Sequence, residues 1–99
     1  MLVVPLLILS GCASTDREPF DSEKWSRNRT IGMAYDIQDA SRVESLTVNE
    51  VKELLGDAEM EDINSDGDGA LQYDLPLGYY LEVTISGGRC ASADVIDPG

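Results

Sequence analysis

The sequence contains no histidine, and its 99 residues hold only 7 Lys and Arg against 19 Asp and Glu. Without histidine there is no His-based triad, no imidazole general base and no His-containing zinc site. A net charge of -12 repels a phosphate backbone, and no basic stripe interleaved with aromatics offsets it, so nucleic acid is not expected as a partner. Gly-rich phosphate loops are also missing. The pairs Glu59 with Glu61 and Asp36 with Asp39 offer acid–base chemistry, but in so acidic a chain they read first as a solvated face. Trp25, Tyr79 and Tyr80, among few aromatics, read as core neighbours before they read as a ligand platform. These absences point away from an enzyme and predict no catalytic residue, no small-molecule substrate and no resident cofactor.

No apolar run reaches the roughly 20 residues that a membrane-spanning helix needs. The chain does open on a shorter one, "MLVVPLLILSGCAS", in which Leu2 to Leu9 gives way to small residues and a cysteine. That is the pattern of a secretory signal with its cleavage zone. No Lys or Arg precedes the run, which leaves room for a native start upstream of Met1. Leu9-Ser10-Gly11-Cys12 resembles a bacterial lipobox, which implies a signal peptide over 1–11, cleavage before Cys12 and acylation of Cys12. Several acyl chains at about 0.8 kcal/mol per buried methylene would tether the protein to the membrane without spanning it. Ala13 after the cysteine resembles the pattern sorted to the outer membrane in diderm bacteria. With Cys12 acylated, Cys90 has no disulfide partner and reads as a small strand residue.

Polar residues 12–24 then suit a flexible tether, with the domain expected over 25–99. Ile31, Met33, Ala34, Ile37, Ala40 and Val43 recur at helical spacing and predict a helix from about Arg29 to Glu44. A second helix is marked more sharply. Thr47 and Glu50 form a capping box, Leu46 and Val51 a hydrophobic staple, and Gly56 fits the C-terminal end. Beyond it the period changes from 3.6 to 2, with Leu71, Tyr73 and Leu75, then Tyr79, Leu81, Val83 and Ile85, alternating with polar residues. After "SGGR" a third strand follows over "CASADVI". A two-residue Gly-Gly turn would pair Ser86 with Arg89 and put Ala91, Ala93 and Val95 across from the polar face. A three-residue loop of Ser86, Gly87 and Gly88 is therefore expected, placing Val83 beside Ala91 and Leu81 beside Ala93. The resulting fold class is α+β, two helices on a three-stranded antiparallel meander in the order ααβββ.

The lipobox, "FDSEKW", Arg29 to Ile37 ("RTIGMAYDI"), "LTVNEVKELLGDAE", "LQYDL" and "LEVTISGG" together resemble small bacterial lipoproteins of the BamE-like (SmpA/OmlA) fold group. The resemblance covers most of residues 20–97 and is sharpest from Thr47 to Gly56, with Ser45 and Ala58 departing from the usual Gly and Pro. Its motif residues are caps and core, so it implies a fold and no active site. The expected role is a membrane-anchored, non-catalytic envelope lipoprotein that contacts another envelope protein, at the outer membrane facing the periplasm in a diderm organism. The contact surface would be the polar face of the sheet or the acidic C-terminal half, where only Lys52 and Arg89 stand against twelve acids from Leu46 onward. A lipid-tethered binding or inhibitor module is the alternative.

One loop remains, "DINSDGDGALQYD" from Asp62 to Asp74. Asp62, Asn64 and Asp66 followed by Gly67 match the first half of an EF-hand-type calcium loop, with Asp68 as a further oxygen. Position twelve, a bidentate Glu in such loops, is Tyr73, so the segment reads chiefly as a helix-to-strand connection. Any calcium held by Asp62, Asn64, Asp66 and Asp68 would bind weakly, at about 10⁻⁴ to 10⁻³ M.

Overall fold

The structure, a computed structural model, describes residues 18–99. The expected signal peptide over 1–11 and the expected lipidation site Cys12 lie outside the described residues. Three helices, α1 (Ser22–Arg27), α2 (Ile31–Asp39) and α3 (Val48–Leu55), precede four strands, β1 (Met60–Ile63), β2 (Gly69–Asp74), β3 (Tyr80–Ser86) and β4 (Arg89–Ile96). The strands form one antiparallel sheet in the order β1-β2-β3-β4. The expected class, α+β, is therefore right, but the three-stranded meander is a four-stranded one, and a third helix precedes the two anticipated.

Residues 18–24, read from the sequence as the end of the tether, belong to the fold. Asp21 caps α1 by accepting hydrogen bonds from the backbone N–H groups of Glu23 and Lys24. The six-residue helix is anchored by Trp25, 1% exposed, against which Phe20 packs edge-on. Six residues are too few for an isolated helix to persist. Burial of that one indole supplies what propensity cannot, which is why no helical period was visible there.

Helix α2 starts where Thr30 accepts a hydrogen bond from the Met33 N–H and buries Met33, Ala34 and Ile37. It stops at Asp39, five residues before the expected end. Ser41 takes a left-handed φ of 51°, and the N–H groups of Arg42 and Ser41 return to the Ile37 and Gln38 carbonyls at 3.1 and 3.3 Å. That is a Schellman closure made with serine in the place glycine usually holds, so the terminus carried no glycine signal. Val43, fully buried, continues the apolar series from the loop beyond the helix.

Helix α3 has the anticipated capping box: Thr47 Oγ1 accepts from the Glu50 N–H, and Glu50 accepts from the Thr47 N–H. Val51 and Leu55 are buried, whereas Leu54 is only partly so and packs at the margin of the core. The exposed carbonyls at its C-terminus are taken by aromatic side chains from elsewhere. Trp25 Nε1 donates to Leu55 at 3.0 Å, and the Tyr73 hydroxyl donates to Gly56 at 2.8 Å. Both rings thus bury their apolar bodies and still satisfy their polar atoms.

The sheet turns one face to the helices. Leu71, Tyr73, Leu81, Val83, Ile85 and Cys90 join Trp25, Met33, Ile37, Val43, Val51 and Leu55 in one buried cluster. The β3–β4 turn corrects the expected register: Ser86 pairs with Arg89, so Gly87 and Gly88 alone form the turn, with φ of 61° and 81°. Two consecutive positive φ values are what a two-residue hairpin turn demands, and Gly-Gly supplies them without steric cost. The objection to that turn is met by a bulge. Ile85 pairs with Cys90 but Thr84 with Ser92, so Ala91 is an extra residue, and Ala93 and Val95 return to the inner face opposite Val83 and Leu81.

Candidate interaction surface

The calcium-loop residues are built into a β-hairpin, not a helix-to-strand connection. Asp62 lies in β1 paired with Ala70. Asn64 Oδ1 accepts the N–H groups of Asp66 and Asp68 at 2.9 and 3.1 Å, folding the loop on itself. Asp68 Oδ1 accepts the Gly87 N–H at 2.9 Å and the Gly67 carbonyl accepts from Gly88, which docks this loop onto the β3–β4 turn. Two of the four candidate ligands therefore spend an oxygen on backbone N–H groups. Among the described residues no group of three or more His, Cys, Asp or Glu is arranged to hold a metal.

The paired carboxylates separate in the same way. Glu59 binds Arg29 and accepts the Asp74 N–H at 2.9 Å, while Glu61 pairs with Lys52 on α3. Burial pushes the Glu59 pKa up, but the Arg29 guanidinium and the Asp74 N–H together outweigh it and hold the carboxyl below its ordinary value. Asp36 accepts from the Phe20 N–H and from Arg42, and Asp39 accepts from Gln38. Arg29 itself lies over the rings of Tyr73 and Trp25, 5.1 and 5.7 Å from their centroids, so these groups brace the junction of α1 with the sheet.

The aromatic platform does not assemble. Trp25 stacks with Phe20 and Tyr73 in the interior, Tyr79 packs on the core, and Tyr80 begins β3 on the other side of the sheet. Burial also pushes the Cys90 thiol pKa up, away from the thiolate form, and its Sγ donates to the Ser92 carbonyl at 3.4 Å.

Among the described residues, no helix covers the second face of the sheet. In register across the strands, Met60, Gln72, Glu82 and Asp94 form one row, Asp62, Ala70, Thr84 and Ser92 a second, and Asp74, Tyr80 and Ile96 a third. The alternation that buried Leu71, Tyr73, Leu81 and Val83 sends these residues outward, where they are half-buried or exposed. Glu82 and Asp94 stand directly opposite each other on neighbouring strands, an arrangement of like charges that weakens a sheet. The polar face was legible from the period-2 pattern of β2 and β3. Its outer strand β1 was not, because Asp62 and Ile63 were absorbed into the calcium-loop reading from Asp62 to Asp74.

No helix among the described residues is long and apolar enough to cross a membrane. Comparison with protein-family models, with curated proteins and with solved structures finds no match to this chain.

Proposed function

We propose that the protein is a non-catalytic bacterial envelope lipoprotein, held to the membrane by lipid on Cys12, whose domain acts by contacting another envelope protein. Leu9-Ser10-Gly11-Cys12 at the end of an apolar run carries the reading. Small residues before the cysteine fit a peptidase groove, and only a thiol supplies the nucleophile for lipid transfer. The resemblance to BamE-like lipoproteins supports a role in outer-membrane organisation or assembly. An α+β domain whose described residues leave one sheet face uncovered supports action by contact, and the candidate acid–base pairs Glu59 with Glu61 and Asp36 with Asp39 are engaged in ion pairs and hydrogen bonds instead. The experiment is Cys12→Ser with metabolic lipid labelling and fractionation. Loss of label and release of the chain from the membrane fraction are expected. Full retention in the membrane would overturn the anchor.

A further inference from the structure

The described residues contain six Lys and Arg, and every one is engaged with a carboxylate or a backbone carbonyl. Lys24 pairs with Glu18, Arg27 with Glu23, Arg29 with Glu59, Arg42 with Asp36 and Lys52 with Glu61, while Arg89 donates to the Ser45 carbonyl at 2.9 Å. The three outward rows carry Asp62, Asp74, Glu82 and Asp94, and the one base in outward register, Arg89 opposite Ser86 beside the turn, is committed to the Ser45 carbonyl. Of these, Asp74 accepts only an uncharged donor, Gln72 Nε2 at 3.1 Å.

A second feature coincides with the first. Two large apolar side chains are strongly exposed among the described residues, Met60 at 57% and Leu77 at 83%. Met60 heads the row that contains Glu82 and Asp94. Leu77 sits in the loop joining the paired ends Asp74 and Tyr80 of β2 and β3, held at a φ of 63° that β-carbon sterics disfavour. Carboxylates without a cationic partner, the half-buried Tyr80 and the exposed Met60 in the outward rows, with Leu77 in the adjoining β2–β3 loop, offer electrostatic complementarity and apolar contact to a cationic protein partner.

We infer that this face docks a cationic protein segment, one that presents Lys or Arg to the Glu82–Asp94 and Asp62 rows and an apolar side chain toward Met60 or Leu77. The inference rests on the contact role proposed above and names the chemistry of the partner. A second copy of the chain would oppose carboxylates to carboxylates, and an anionic lipid surface would be repelled, so neither fits this face.

The test uses the full chain, isotope-labelled in detergent micelles, titrated with a peptide of alternating lysine and leucine and, separately, with calcium. Peptide-induced shifts are expected at Gln72, Glu82, Thr84 and Asp94. The double variant Glu82→Gln/Asp94→Asn is expected to weaken the peptide about fivefold or more while core resonances stay in place. Glu53→Gln/Asp57→Asn, exposed residues of α3 and its end with the same change in charge, is expected to leave affinity within about twofold. Equal loss in the two double variants would mean attraction to bulk charge and would overturn the inference. So would shifts confined to other surfaces, or stronger shifts at these residues with calcium than with peptide. Membrane anchoring does not enter this readout, so its failure is distinguishable from failure of the anchor.

Discussion

Single residues decide how α3 is held, and three changes there separate capping, burial and ionisation. Thr47→Ala removes one half of the capping box and is expected to cost about 1 kcal/mol in denaturant unfolding. Leu55→Ala, at a site 2% exposed, is expected to cost about 2 to 5 kcal/mol, with a smaller loss for the half-buried Leu54 and a few tenths for Glu53 on the exposed side. Comparable losses at Leu54 and Leu55 would contradict the assigned face. Tyr73 governs the alkaline limit. Its side chain is fully buried, and burial pushes the phenol pKa up to about 12 from 10. A raised folded-state pKa gives stability that is complete below the unfolded value and is lost as pH rises through the folded one. Unfolding free energy should therefore fall between about pH 10 and 12, and Tyr73→Phe, which has no proton to lose, should flatten that slope despite losing the bond to Gly56. At the β1–β2 loop, the commitment of Asn64 and Asp68 oxygens to backbone N–H groups sets the expectation for calcium. Calorimetric titration should show no binding tighter than about 10⁻⁴ M.

Elements were legible in the sequence to the degree that their signals were local. The capping box and apolar face located α3, and the strict alternation from Tyr79 to Ile85 located β3 with its inner and outer sides. Helix α1 was missed because its stability resides in one tertiary burial, Trp25. The end of α2 was placed late because a serine adopts the conformation that glycine would have announced. In the β3–β4 hairpin, Ala91, Ala93 and Val95 were all expected to face inward; Ala93 and Val95 do, through a bulge in place of a longer turn, whereas Ala91 is the exposed bulge residue. Parity survived while the partners moved by two residues. Strand β1 escaped because its burial pattern is almost wholly exposed, with only Ile63 reaching the core margin. Gly69 makes that pairing possible: a β-carbon there would collide with the Asp62 carbonyl. Gly69→Ala is accordingly expected to detach or shift β1, seen as loss of amide-exchange protection along Met60–Ile63 while β3 and β4 stay protected.

At the scale of the whole molecule, charge is segregated: the described cations engage carboxylates and carbonyls, and the outward rows of the sheet keep Asp62, Glu82 and Asp94 apart from any described cation. The outward sheet face was legible from period-2 alternation, but the concentration of carboxylates on it needed the register; the proposed lipid anchor rests on the lipobox alone. Under the proposed anchoring at Cys12, the tether would hold the acidic sheet face within reach of a fixed partner. The most direct measurement places a photo-crosslinking residue at Thr84, in the middle of the open face, and at Glu53 on α3, in the native chain and in Cys12→Ser, followed by irradiation of living cells. A single discrete adduct from Thr84, none from Glu53, and loss of the Thr84 adduct in Cys12→Ser are the predicted result. Adducts of equal yield from both positions, or a Thr84 adduct unchanged without Cys12, would contradict it.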